Sequence, residues 1–200
     1  CYGGKSSQIS RNEPYTKPLP ASLNTQTVRM KRIIIITSII SILFGCGQSD
    51  KNVKLDKIIF HTSMCFGTCP TYHLQVDNNR EIKLYAEQVY KNPQDFGSFE
   101  TDTTKTGYFV GIVADTTFRK LTNELSNIGL DTLEFDGASC CDGSLITIII
   151  YYNSKRKFLK SMFPPDKANK LIGTLYDICE TSKLTRTTEK FKIEDEKASR

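Results

Sequence analysis

The chain has 200 residues and a formal net charge of +5, with 27 Lys and Arg residues against 22 acidic ones. Six of the basic residues and one acid fall in 1–45, which leaves 21 of each sign from residue 46 onward. Because this remainder is formally neutral, the basic excess gives no argument for a nucleic-acid partner. Its length fits one domain around one core.

Near the middle of its first third, the chain has the layout of a secretory signal peptide. Lys31 and Arg32 precede a mostly apolar run, Ile33–Phe44, and a glycine and Cys46 follow. This run is shorter than the ~20 apolar residues that a membrane-spanning helix needs. Its end resembles the lipobox of bacterial lipoproteins, where the signal peptide is cut before a cysteine that then carries lipid such as palmitate. The resemblance predicts that lipid at Cys46 anchors a soluble domain at a membrane surface.

These features predict a domain organisation. Residues 1–29 show no periodicity and precede the natural translation start at Met30, so we expect them to be upstream or disordered sequence. Residues 30–45 are the predicted lipoprotein signal peptide and 46–53 a tether. Residues 54–184 form the predicted domain, and 185–200, where charges alternate, form a flexible tail. The expected location is the bacterial cell envelope, on the outer membrane, with the domain outside the cytoplasm.

The first half of the predicted domain is rich in strands. Ile58–His61 is a short β-prone run. Thr71–Asp77 and Glu81–Glu87 each alternate apolar and polar residues, and the Asn-rich turn between them predicts a hairpin. Lys105–Val113 is a further strand candidate with two glycines.

The second half alternates helices with strands. A helix is predicted after Asp115, and a second one follows Pro164 and Pro165. Between them, Leu145–Tyr152 is apolar on both faces, which indicates a central covered strand or half of an interface, and Arg156–Phe163 returns antiparallel to it. The order βββ-α-ββ-α predicts an α+β fold: a single domain with an antiparallel sheet of about five strands and both helices on one face.

The segment Cys65-Phe66-Gly67-Thr68-Cys69-Pro70-Thr71-Tyr72 is the one motif with a defined shape. It resembles an uncharacterised family of bacterial envelope lipoproteins, a domain of unknown function with the pattern Cys-Phe-Gly-x-Cys-Pro-x-Tyr. The resemblance covers about residues 58–184. It implies a hairpin, a helix, a second hairpin and a last helix, and it brings no established activity.

Two interpretations of the motif compete. In the structural one, a Cys65–Cys69 disulfide holds a tight turn, as an oxidising compartment permits. In the other, the two thiols form a redox or metal site. Cys-x₃-Cys-Pro also occurs in copper-delivering thioredoxin-like proteins, and the two histidines, His61 and His73, flank the motif. A thioredoxin-type site precedes a helix, however, and the alternation of Thr71–Asp77 predicts a strand, so the metal site is the weaker hypothesis.

The neighbouring Cys140 and Cys141 have three interpretations. They can pair with Cys65 or Cys69, form a strained vicinal disulfide, or complete a four-cysteine metal site. Disulfide use is favoured, because adjacent side chains in a strand point in opposite directions and chelate one ion poorly. Cys179 lies on the apolar face of the second helix and is predicted to be a buried hydrophobe.

The sequence contains no Gly-x-Ser-x-Gly, no His-Glu-x-x-His and no phosphate-binding glycine loop. We therefore expect a binding or interaction module rather than an enzyme, without a cofactor. Its predicted partners are the membrane, through the lipid, and an envelope protein or small ligand, with no nucleic acid. The alternative hypothesis is a thiol-redox or copper-handling protein that uses Cys65 and Cys69.

Overall fold

The computed structural model describes residues 53–94 and 99–195, all of which belong to one compact unit, Asp50–Arg200. The predictions for 1–29, for the signal peptide 30–45 and for lipid at Cys46 lie outside the described residues, as does most of the tether. Neither helix in the described part of the chain is long and apolar enough to cross a membrane.

Seven strands form one fully antiparallel sheet with the spatial order β6-β5-β1-β2-β3-β4-β7. They are β1 Leu55–Thr62, β2 Thr71–Asp77, β3 Glu81–Gln88, β4 Gly107–Ile112, β5 Ile146–Tyr152, β6 Lys155–Ser161 and β7 Leu184–Thr187. Two α-helices complete the domain, α1 Asp115–Asn127 and α2 Asn169–Thr181. The predicted five-stranded α+β arrangement in the order βββ-α-ββ-α is therefore wrong: the domain is mostly β, with seven strands.

Two of the seven strands, β1 and β7, were not counted in the predicted five-stranded sheet. The short run Ile58–His61 is the middle of the eight-residue strand β1, which lies at the centre of the sheet between β2 and β5. The last strand, β7, has the sequence Leu-Thr-Arg-Thr and is only four residues long. It is an edge strand that pairs with β4 through the backbone, so it needs no apolar alternation of its own.

Two tight turns close the central hairpins. Between β2 and β3, Arg80 adopts a φ of 71°. Between β5 and β6, the two-residue turn Asn153-Ser154 has φ values of 48° and 59°. Two successive residues with positive φ suit the right-handed twist of the strands that they connect, and Asn tolerates this conformation better than most residues.

The first face of the sheet carries both helices and the main core. Ile58 and Phe60 of β1 point to this face and are fully buried, as are Leu121 of α1 and Leu175 of α2. Phe60 also meets Tyr176 of α2 edge to face, with ring centroids 5.2 Å apart. The helices therefore cover only this face of the sheet, and the opposite face has different contacts.

The second face is covered in part by the end of the described chain. Ile59 of β1 and Ile149 of β5 form a small core with Ile193, which is 7 % exposed. The described part of the predicted flexible tail thus contains most of β7 and a packed segment. Phe191 and Ile193 make the apolar contacts of this segment, although most of their neighbours in the sequence are charged. The packing of Ile193 on Ile149 also explains why β5 is apolar on both faces.

Candidate functional site

Four side chains form a row across the second face of the sheet. His61, His73, Tyr85 and Tyr108 come from β1, β2, β3 and β4 respectively, and each is the direct partner of the next in the strand register. Since side chains alternate between the faces of a strand, in-register residues on one face stand side by side. We call these four residues the aromatic row.

Three rings of the aromatic row stack on one another, whereas the His61 ring is tilted by 59° against His73. The Tyr85 ring lies 5.5 Å from that of His73 and 4.4 Å from that of Tyr108, with interplanar angles of 13° and 14°. Phe191 meets Tyr108 edge to face at 5.1 Å and closes the row at that end. Because the ring faces are occupied by their neighbours, a ligand that arrives from solvent meets ring edges and phenol hydroxyls rather than a flat stacking surface.

The aromatic row forms one side of a cavity of about 530 Å³, which we call the second-face groove. This volume lies within the range of small-molecule sites. The segment Phe191–Asp195 forms another wall. The remaining lining residues are Thr62, Ser63, Leu145, Thr147 and Lys160.

The two histidines share a hydrogen-bond network. His61 Nδ1 lies 2.8 Å from His73 Nδ1, His61 Nε2 lies 2.7 Å from the carbonyl oxygen of Glu194, and His73 Nε2 lies 3.0 Å from Glu87 Oε2. A carbonyl and an ionised carboxylate can only accept, so both Nε2 atoms must donate. The contact between the Nδ1 atoms needs one more proton. The pair therefore holds three protons on four nitrogens and carries one positive charge.

The position of this charge follows from burial. Burial lowers the pKa of His61, and the charge of neighbouring His73 acts in the same direction, while the hydrogen bond with Glu194 opposes them. Burial therefore disfavours a charge on His61, so His61 Nδ1 accepts the hydrogen bond from His73 Nδ1. The more exposed His73 directs its Nε2 at the Glu87 carboxylate.

Glu194 ties the end of the described chain to the sheet. Its carboxylate accepts hydrogen bonds from the Tyr151 hydroxyl at 2.6 Å and from Lys57 Nζ at 3.0 Å, and Arg156 lies 3.6 Å away. Burial favours the neutral acid, but these hydrogen bonds and charges outweigh it and hold the pKa of the Glu194 carboxyl below its usual range. The wall of the groove is therefore anchored on β1, β5 and β6.

The cysteines are divided between a bridge and free thiols. Cys65 and Cys69 form a disulfide, whereas Cys140 and Cys141 are free and exposed and Cys179 is free and buried. Of the open alternatives, the Cys65–Cys69 bridge is the one present. Burial raises the pKa of the Cys179 thiol, in keeping with a buried apolar role.

The structure does not assemble the weaker metal site. Cys65 and Cys69 are bonded to each other, and all four ring nitrogens of His61 and His73 have hydrogen-bond partners. Within residues 53–94 and 99–195, no three His, Cys, Asp or Glu side chains come close enough to hold a metal ion. Among the described residues, the two histidines and the two bridged cysteines are thus engaged with other partners.

Sequence reasoning did not find Tyr85, Tyr108 or Phe191. The outward position of Tyr85 follows from the alternation of Glu81–Glu87, but its two stacking partners depend on the register of two strand pairs, β2–β3 and β3–β4. Only the first of those registers is set by a short turn. The signal in the sequence was the aromatic residue on an otherwise charged strand face, where apolar rings are unusual.

A second cavity, of about 370 Å³, lies on the first face beside the disulfide loop. Thr68, Pro70, Tyr72 and Glu180 are among its lining residues. Its wall includes Pro93 and so adjoins residues 95–98, which are outside the described part of the chain. The second-face groove is the larger of the two and contains the hydrogen-bonded histidines, and we take it as the candidate site.

A family model described as a domain of unknown function (DUF6438) covers residues 56–178. No curated protein matches the chain.

Proposed function

Because the chain belongs to this family of domains of unknown function, we propose a function from the groove itself: a binding module that holds a small anion and catalyses no reaction. The observation that carries the proposal is the second-face groove, with its aromatic row and its paired histidines.

The charges around the groove favour an anionic ligand. Its lining contains the singly charged histidine pair, Lys160 and Lys192, against one carboxylate, Asp195. Asp195 lies 4.0 Å from Lys192 and offsets part of this charge. Glu87, 3.0 Å from His73 Nε2, offsets a further part, and a small positive excess remains. Groups in a partly enclosed groove are screened less than groups on an open surface.

The hydrogen bonds of the histidines favour binding over catalysis. A general base must have a nitrogen free to take a proton from the substrate. In the groove, each ring nitrogen of His61 and His73 already has a protein partner within 3.0 Å. The pair is thus arranged to supply a fixed charge and to orient the Tyr85 ring that stacks on His73.

Isothermal titration calorimetry on the purified chain tests this proposal. The probes are inorganic phosphate and citrate, with glucose as an uncharged control of comparable size. We expect one of the anions to bind at one equivalent and glucose not to bind. Lys160→Gln should weaken binding about tenfold, which corresponds to about 1.4 kcal/mol. The matched control Lys167→Gln changes an exposed lysine before α2 and should leave the affinity unchanged.

The outcomes that count against an anion-binding groove are equally direct. If glucose bound as well as citrate, or if Lys167→Gln weakened binding as much as Lys160→Gln, the specific charge of the groove would not be responsible. Absence of heat with both anions, confirmed by an unchanged unfolding temperature, would reject this class of ligand.

The proposed location is the bacterial cell envelope, with the domain held at the outer membrane by lipid at Cys46. The support is the pattern of cations, apolar run, glycine and cysteine over residues 31–46. Labelling of growing cells with an alkyne analogue of palmitate should mark the chain, and Cys46→Ser should abolish the label. Cys140→Ser, the matched control, changes an exposed cysteine of the domain and should leave the label intact. A label that persisted in Cys46→Ser would reject this anchor.

A further inference from the structure

The loop that contains Cys140 and Cys141 is held firmly in place. The Asp136 carboxylate accepts hydrogen bonds from the Ser161 hydroxyl at 2.6 Å and from the backbone N–H of Ala138 at 2.9 Å. On the other side, the N–H of Phe66 donates to the carbonyl of Asp142 at 3.0 Å, which links the loop to the disulfide loop. The free thiols therefore lie on a loop with contacts at both ends.

The backbone brings the two thiols together. In an extended strand, neighbouring side chains diverge. Cys141, however, has a φ of 62°, in the left-handed region, and this turn places the two Sγ atoms within 2.8 Å of each other. The sequence-based argument against chelation by adjacent cysteines thus fails here, because it assumed a strand.

A third sulfur lies beside the pair. Met162 follows the end of β6, and its Sδ accepts a hydrogen bond from the backbone N–H of Cys140 at 3.1 Å. The thioether sulfur is therefore in contact with the backbone of Cys140. The backbone N–H of Met162 in turn donates to the carbonyl of Ala138 at 2.8 Å, so the methionine is held against the same loop.

We propose that Cys140, Cys141 and Met162 form a binding site for one soft monovalent cation of the Cu(I) class. Thiolates and thioethers are the ligands that select Cu(I), whereas Zn²⁺ takes four ligands from thiolate, imidazole and carboxylate. Two thiolates and one thioether are enough for a cation of low coordination number. Among the described residues, no cluster of three His, Cys, Asp or Glu occurs that could hold Zn²⁺.

Both cysteines are exposed, so a cation can reach the pair from solvent, and the adjacent Asp142 places a negative charge beside it. The site differs from the sequence-based copper hypothesis, which used Cys65 and Cys69.

Binding changes no oxidation state. Two S–H bonds break, two sulfur–metal bonds form, and two protons go to the solvent, so that Cu⁺ and two thiols give a bis-thiolate complex. Because two protons are released, the apparent affinity should rise about 100-fold per pH unit while both thiols are protonated.

The test uses the full chain, purified under nitrogen, with Cys1→Ser and Cys46→Ser to remove the thiols outside the described residues. Cu(I) is supplied as its bicinchoninate complex, and Ag(I), which needs no reductant, is followed in parallel by native mass spectrometry. We expect one Cu(I) or Ag(I) per chain, and no binding of Zn²⁺ at the same concentration.

Variants assign the ligands. Cys140→Ser with Cys141→Ser should abolish binding, and Met162→Leu should weaken it about tenfold. The matched controls Cys179→Ala and Met64→Leu should retain one equivalent at unchanged affinity. Far-ultraviolet circular dichroism checks that each variant is folded.

Stoichiometric binding that survived in the double serine variant would overturn the site. An equal loss of affinity in Met64→Leu and Met162→Leu would do so too, as would Zn²⁺ binding as tight as that of Cu(I). A Cys140–Cys141 disulfide in protein kept under nitrogen throughout would also reject it, because no thiolates would then be present.

Discussion

His61 Nδ1 lies 2.8 Å from His73 Nδ1, and this contact forces the two rings into different protonation states. One nitrogen must donate and the other accept, so both rings cannot be imidazolium at once without breaking it. The contact joins β1 to β2 at the side of the second-face groove.

The first prediction concerns acid stability. Burial holds the pKa of His61 below its ordinary 6.5 in the folded chain, so the unfolded chain takes up a proton at higher pH than the folded one. The contribution of His61 to stability is therefore complete above about pH 7 and declines as the pH falls below 6.5 toward the folded pKa. His73, Glu194 and Asp195 are the charged or titratable neighbours that act on the ring.

Urea unfolding at pH 7.5 and pH 5.5 measures this effect. The midpoint of the natural chain should drop over this interval, and that of His61→Gln should drop less. Glu194 does not interfere, because its pKa lies below 4.5 and its contribution is lost only as the pH falls through that lower value. Equal drops in the two proteins would show that His61 is not the acid-sensitive group.

The second prediction concerns the cover of the second face. Ile193 is 7 % exposed and packs on Ile59 and Ile149. Ile193→Ala should lower the free energy of unfolding by about 2–4 kcal/mol, since it removes buried methyl groups and leaves a cavity. Phe163→Ala, the control, truncates a side chain that is 57 % exposed and should change stability by less than about 0.5 kcal/mol. If the two variants behaved alike in urea, the segment would not be part of the folded core.

The third prediction is a thiol count with Ellman's reagent. In a chain with Cys1→Ser and Cys46→Ser, the exposed Cys140 and Cys141 should react in the folded state, and Cys179 only after unfolding. Cys65 and Cys69 should react only after reduction, because they are bonded to each other. A folded chain with four reactive thiols would instead support the redox hypothesis that uses Cys65 and Cys69.

The fourth prediction compares two glycines. A Cβ on Gly111 of β4 would lie 2.9 Å from the backbone oxygen of Lys183 and 2.8 Å from Leu184 Cδ2. Gly111→Ala should therefore separate β4 from β7 and cost about 1–3 kcal/mol, as overpacking does. A Cβ on Gly173, exposed on α2, would meet nothing within 4 Å, and Gly173→Ala should stabilise the chain by about 0.5–1 kcal/mol. Chemical denaturation measures the free energy of unfolding of both variants. An unchanged free energy of unfolding in Gly111→Ala would mean that β4 and β7 do not approach closely.

Local patterns predicted the local structure best. The hairpin of β2 and β3 follows from clean alternation and a short Asn-rich turn, and both lie within one stretch of sequence. The β1–β5 pair was not predictable in this way, because it joins residues as distant as Leu55 and Tyr152. Alternation says which face a side chain takes, but it does not say which distant strand lies beside it.

The same limit applies to the candidate sites. The sequence identified both histidines and both cysteine pairs, and its structural interpretation of Cys65 and Cys69 as a bridge is confirmed. It did not predict the partners of the histidines or the approach of the Cys140 and Cys141 sulfurs. His73 contacts His61 and Glu87 through cross-strand register, and the proximity of the Cys140 and Cys141 sulfurs depends on one residue with positive φ. Neither the register nor that backbone angle can be derived from residue type alone.

The pairing of β1 with β5 also determines how a shortened chain would behave. A product that ended before Ile146 would lack the strand that covers one edge of β1, and this edge carries Ile58, Ile59 and Phe60. Unpaired backbone groups beside large apolar side chains recruit strands from other molecules. Premature termination or cleavage in the loop before β5 would therefore produce an aggregating fragment rather than a smaller working domain.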